Sequence, residues 1–150
     1  DQSANLNNAL TDSSPAALQS RLRLAVALRR QGDLGGTENL LREVLAIDGR
    51  HYDALHMLGV LASEKGDGEK AVNLIEAALR IDAGQAAAHY NLGNISRQAG
   101  DERQSIEYFR RALSIDPRHA DWQCNLGNAL FALGTRGNAA ATFGGRSSRP

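Results

Sequence analysis

Few side chains in this sequence could do chemistry. The histidines are His51, His56, His89 and His119, and Cys124 is the single cysteine. Cys124 follows His119 by five residues, a spacing that shares no helical face, and no third residue stands by to orient a base, so a cysteine nucleophile is not supported. His56, His89 and Cys124 come from three successive units of the chain, 33 and 35 residues apart. On neighbouring helices about 8 to 10 Å apart they could not all reach one zinc. Gly32-Asp33-Leu34-Gly35-Gly36 has neither the lysine nor the preceding strand of a phosphate loop. Asn94-Ile95-Ser96 matches a glycosylation acceptor but falls inside a helical pattern. The expectation is therefore no enzyme, no metal and no cofactor. What remains is a set of amides, Asn91, Asn94, Asn125 and Asn128, each able to donate and accept at once.

These amides belong to a repeating frame. Gly32, Gly66, Gly100 and Gly134 stand 34 residues apart, and Leu24-Ala25, Leu58-Gly59, Leu92-Gly93 and Leu126-Gly127 share one earlier position of the period. Ile47-Asp48, Ile81-Asp82 and Ile115-Asp116 mark its end. A period of this length is the mark of stacked two-helix units, each burying its apolar face against its neighbours.

Along the chain, Asp1 to Ser13 is rich in Asn, Ser and Asp and reads as a flexible or capping segment. Ser14-Pro15 reads as an N-cap followed by proline at the first helical position. Helices are expected over about Pro15–Gln31 and Gly35–Ile47, then Asp53–Lys65 and Gly68–Ile81, then Ala86–Ala99 and Glu102–Ile115. The fourth unit opens at Ala120–Leu133, but its second helix is expected to shrink to Asn138–Phe143 before a flexible tail over 144–150. The repeats are thus placed at about 18–51, 52–85, 86–119 and 120–143.

Lys plus Arg and Asp plus Glu both number 17, so the net charge is zero. Nucleic acid and anionic membranes are held by excess positive charge, and neither is expected as a partner. One cysteine cannot make an internal disulfide. No apolar run is long enough to cross a bilayer, and the default location is cytoplasmic. A start at Asp1 without a signal-peptide pattern reads as a fragment or processed form.

Leu92-Gly93, Gly100, Ser105, Phe109, Ala112 and Pro117 together resemble the tetratricopeptide repeat. So do Leu58-Gly59, Gly66, Ala71, Ile75 and Ala78, and Leu126-Gly127, Gly134, Ala139 and Phe143. The first unit departs, with Ala25 for the glycine and Thr37 for the small alanine. The resemblance implies an all-α fold, an α-α superhelix (tetratricopeptide solenoid) of antiparallel helix pairs with three full repeats and a truncated fourth. Gly59, Gly93 and Gly127 are expected to let two helices approach closely. Where the family favours a bulky aromatic, this chain has Arg21, Leu55, His89 and Gln123, sites expected to tolerate solvent.

In such arrays, as the resemblance implies, the first helix of each unit lines a concave groove that binds a peptide or helix. Projected onto this chain, the groove contains Arg23, Val26, His56, Met57, Val60, Tyr90, Asn91, Asn94, Asn125 and Asn128. The amides resemble the asparagine ladder of O-GlcNAc transferase repeat domains. Two readings stand: amides that pair with a peptide backbone, or amides that bond neighbouring helices and water. The positions that look equivalent to a chaperone-tail clamp hold Asp53, Met57, Ala87, Asn91, Asp121 and Asn125, and the two aspartates would repel a carboxylate. The leading expectation is a protein-interaction module with a protein or peptide ligand. One alternative is the non-catalytic front region of a bacterial O-GlcNAc transferase-like glycosyltransferase. Another is homo-oligomerisation through an uncapped C-terminal end exposing Leu126, Leu130, Leu133 and Phe143.

Overall fold

In the computed structural model, Ser3 and Thr11–Arg146 are described, the side chains of 139–146 excepted. Most of the Asp1–Ser13 segment and the end of the tail therefore lie outside the described residues. Ser14 caps the first helix by accepting from the Ala17 amide, with Pro15 behind it. Seven helices follow among the described residues: α1 (Pro15–Arg30), α2 (Leu34–Ile47), α3 (Tyr52–Glu64), α4 (Gly68–Ile81), α5 (Ala86–Gln98), α6 (Glu102–Ile115) and α7 (Ala120–Arg146). The fold is all-α, built from antiparallel helix pairs.

The turn inside each of the first three repeats is made the same way. Gly32, Gly66 and Gly100 take φ of 85°, 84° and 82°, a left-handed conformation that glycine adopts without strain. The following aspartate amides close the turn on the carbonyls of Leu28, Ala62 and Ser96, each at 2.9 Å. The Asp33, Asp67 and Asp101 carboxylates then cap the next helix, accepting from the amides of Gly36, Lys70 and Gln104. One glycine and one aspartate thus end one helix and start the next.

The chain divides after Asp82 into two compact units. The first unit packs Leu18, Leu22, Ala25, Leu41, Val44, Ala54, Leu58 and Leu61 into its core. Thr37, fully buried, turns its hydroxyl back to the Asp33 carbonyl at 2.7 Å, so its polar group costs little. In the second unit Ile106, Phe109 and Ala129 form a cluster covered by Tyr90, Leu126 and Leu133.

Two of the three close-approach glycines behave as expected. A Cβ on Gly59 would stand 2.6 Å from Ile75 Cγ1, and one on Gly93 would stand 2.5 Å from Phe109 Cε1. The third does not: at Gly127 a Cβ would meet nothing within 4 Å. The reason lies in α7, which runs unbroken for 27 residues where a break at Gly134 and a short second helix were expected. Gly134 is absent from the positive-φ glycines, and Thr135 stands where the other repeats place aspartate. Its hydroxyl donates backwards to the Phe131 and Ala132 carbonyls, at 3.2 and 3.0 Å, instead of capping a new helix. Arg136 Nη1 reaches the buried Glu102 carboxylate at 2.7 Å and the Gly100 carbonyl at 3.3 Å, holding the straight helix against the turn of the third repeat. The expected tail also changes, because residues 144–146 belong to this helix.

Leu55 corrects another expectation. It is buried at 9% exposure, not solvent-tolerant, whereas Gln123 is exposed and Arg21 and His89 are half-buried.

Candidate functional site

The amides expected to line a groove sit on α5 and α7, the first helices of the third and fourth repeats. Asn91 and Asn94 are one turn apart on α5, as are Asn125 and Asn128 on α7, so each pair shares a face. Tyr90 joins the two helices: Asn125 Nδ2 donates to its hydroxyl at 2.7 Å. That bond uses one amide hydrogen and fixes the plane of the Asn125 side chain, leaving its carbonyl oxygen directed by the same constraint. Asn91 is half-buried and engaged. Asn94 is half-buried and Asn128 exposed.

Beneath the amides lies an aromatic stack that sequence reasoning missed. Tyr90 stacks on Trp122 with centroids 5.0 Å apart and planes at 18°, and Trp122 stacks on His119 at 3.8 Å and 16°. Phe109 closes the inner end, tilted against Tyr90 at 5.6 Å. His119 is in turn paired with Asp116, Nε2 to Oδ2 at 3.0 Å. Stacked rings bring large contact area with few rotatable bonds, so this platform holds Tyr90, and through it Asn125, in one position. A signal was available: Trp122 occupies the period position of Ala54 and Ala88, both fully buried.

In the first unit the expected residues lie on α1 and α3. Arg23 is exposed, while Val26, His56, Met57 and Val60 are half-buried. Met57 leans on the core of that unit, so it is partly committed to packing. Tyr52 and His56 rings meet at 5.7 Å. Burial lowers the His56 pKa, Arg29 pushes the same way and Asp53 opposes them. Burial, with the Asp53 and Asp82 carboxylates, pushes Tyr52 up to about 12. An ion pair between Arg29 and Glu64 ties α1 to α3. Away from this face, Glu38 is surrounded by Lys65, Arg42 and Lys70 beside an apolar cleft formed by Leu58, Leu61 and Ala62. Its hydrogen bonds to Lys65 first and Arg42 second hold its carboxyl at about 2.

The residues expected at an assembly surface separate into two groups. Leu126 and Leu133 pack against Ile106, Phe109 and Ala129, while Leu130 remains 42% exposed. Phe131, which sequence reasoning passed over, is 75% exposed. The Phe143 side chain lies outside the described residues. Cys124 is exposed, and no group of three metal-ligating side chains occurs among the described residues. No helix among them is long and apolar enough to cross a membrane.

Family models for the tetratricopeptide repeat match residues 28–95 and 86–119, which together span more than half of the chain. The chain belongs to the tetratricopeptide repeat family. Among solved structures, this tetratricopeptide chain is similar to a mutant O-GlcNAc transferase from Thermobaculum terrenum, with 33% identity over 77% of its length and a TM-score of 0.73. It spans only 22% of that chain. MamA matches with 21% identity, a TM-score of 0.73, and coverage of 84% of this chain and 74% of that one. The first tetratricopeptide domain of Spaghetti (RPAP3), solved with an HSP90 peptide, matches with 11% identity and a TM-score of 0.74, covering 78% of this chain and 93% of that one. The last two show the fold alone. A comparison with curated protein sequences finds no match. Tetratricopeptide domains bind protein or peptide partners, and this chain is a protein-interaction module.

Proposed function

We propose that the chain binds an extended segment of a partner protein along the α5–α7 face. The observation that carries this reading is the Asn125–Tyr90 bond, which holds one amide rigidly one helical turn from Asn128 and ties it to the helix that carries Asn94. Neither Asn94 nor Asn128 has a side-chain hydrogen-bond partner among the described residues, so both can pair with the amides and carbonyls of a peptide backbone. Recognition of this kind reads chain direction and spacing more than side-chain identity. The fixed aromatic platform lowers the cost of ordering the site on binding.

The test is selection of binders from a random peptide library, followed by anisotropy titration of the best peptides. The Asn94→Ala, Asn128→Ala double variant should bind at least about tenfold more weakly, the loss of roughly 1.4 kcal/mol expected from two neutral hydrogen bonds. Arg103→Ala, on α6, serves as a control and should bind normally. Equal binding by the double variant and the parent would remove the amides from the site.

A second reading is favoured by the 33% identity to the O-GlcNAc transferase repeat region. In that reading this module precedes a glycosyltransferase catalytic domain and presents substrates to it. Sequencing the gene beyond the codon for Pro150 decides it: an in-frame catalytic domain supports the reading, and an early stop codon removes it.

A further inference from the structure

Gly127 marks an interface that is built but not filled among the described residues. In the second repeat the bare backbone of Gly59 receives Ile75, and in the third that of Gly93 receives Phe109. Each glycine lies 16 residues before the side chain that fills it, and Phe143 lies 16 residues after Gly127. Four residues before the filling side chain comes a small one, Ala71 or Ser105, and Ala139 holds that place before Phe143. The fourth repeat thus carries a socket and a matching knob in the same register as the two filled pairs.

The straight α7 keeps the two apart. At about 100° and 1.5 Å per residue, positions 127 and 143 lie about 24 Å apart along the helix and about 160° apart around it. Residue positions 127 and 143 therefore fall on nearly opposite sides of the α7 backbone. The face of α7 that holds Gly127 also holds Leu130, Phe131 and Gly134, all within about 60° of one line. Leu130 and Phe131 are exposed at 42% and 75%, and a Cβ at Gly127 or Gly134 would meet nothing within 4 Å. Leu126 and Leu133, about 100° and 120° around the helix from Gly127, pack into the cluster around Phe109. This outward face is where α4 and α6 lie against their own repeats' first helices.

We infer that the occupant of this face is α7 of a second copy, docked antiparallel with its Ala139–Phe143 segment over Gly127. Continuity with the two filled interfaces supports the choice, because this chain itself carries the small and aromatic residues at the required spacing. The places of residues 127 and 143 on opposite sides of the helix set the kind of assembly. A two-fold pair would need both on one side of the helix, so the contact is heterologous and head-to-tail, each copy giving its knob to one neighbour and its socket to another.

Two variants split the contact. Gly127→Gln blocks the socket, and the open space at that position lets the chain itself fold unchanged. Phe143→Ser removes the knob. By light scattering over a concentration series, the parent should grow past a dimer, and each variant alone should stay monomeric with unchanged helical circular dichroism. An equimolar mixture of the two variants should form a 1:1 dimer that grows no further, because one knob and one socket remain. A monomeric parent, as closure of the fourth repeat on itself would give, overturns the proposal. So does a parent that stops at a closed dimer, or assembly that persists in either variant alone.

Discussion

At the scale of single residues, the same residue type in the same period position has opposite consequences, depending on what stands opposite. Gly93 faces the Phe109 ring, which is fully buried and cannot retreat, so Gly93→Ala forces an overlap of the kind that costs about 1–3 kcal/mol. That exceeds the roughly 1 kcal/mol that alanine gains in helix propensity. Gly127→Ala meets open space and keeps only the gain. Thermal unfolding followed by circular dichroism should therefore show a lower midpoint for the first variant and a higher one for the second. Glu38 gives a pH dependence of definite sign. Its pKa falls from 4.5 to about 2 in the folded chain, chiefly through Lys65, so its ionised form is favoured by folding. That contribution is complete above pH 4.5 and disappears as the pH falls toward about 2. The unfolding midpoint of the parent should drop across this window, and Glu38→Gln should flatten that part of the profile. An unchanged slope in the variant would mean that other carboxylates dominate.

At the scale of elements, the contrast between Gly100 and Gly134 decides whether a repeat closes into a hairpin. Gly100 sits at φ 82°, where an alanine is strained by about 1–2 kcal/mol, so Gly100→Ala should destabilise the third repeat. Gly134 lies inside α7 without a positive φ, and Gly134→Ala should stabilise that helix by up to about 1 kcal/mol. Urea unfolding of the pair should give shifts of opposite sign. A destabilised Gly134→Ala would show that the fourth repeat bends there in solution. The helix is held straight by two substitutions relative to the earlier repeats, Thr135 in the aspartate position and Arg136 in place of an acidic or neutral residue. The first removes the carboxylate cap, and the second supplies the pair with Glu102.

At the scale of the whole molecule, zero net charge at pH 7 means that long-range repulsion does not oppose self-association near neutrality. The self-association proposed through the face of Leu130 and Phe131 should therefore be strongest near pH 7 and weaken toward pH 5 and pH 9, as read by static light scattering at low salt. Added salt should flatten this profile, because screening removes the repulsion that appears away from neutrality. Association insensitive to pH at low salt would show that net charge does not govern it.

The 34-residue period, read from the sequence alone, determined the two-helix units and the first six helices to within one residue at each end, and the motif residues from Leu92-Gly93 to Pro117 carried the resemblance to the family and its all-α fold. It could do so because those features depend on local chemistry: a glycine able to take positive φ, an aspartate able to cap, and apolar residues at helical spacing. The period also located the amides of α5 and α7. Tertiary structure decided what each position meets. Gly127 matches Gly59 and Gly93 in type and register, yet only the course of the following helix settles whether its backbone is covered. Asn125 matches Asn91 in the same way, and only the ring platform of Tyr90, Trp122 and His119 gives it a fixed partner. Periodicity reports which residues are equivalent in the repeat; contact depends on neighbours distant in sequence, which a period cannot encode.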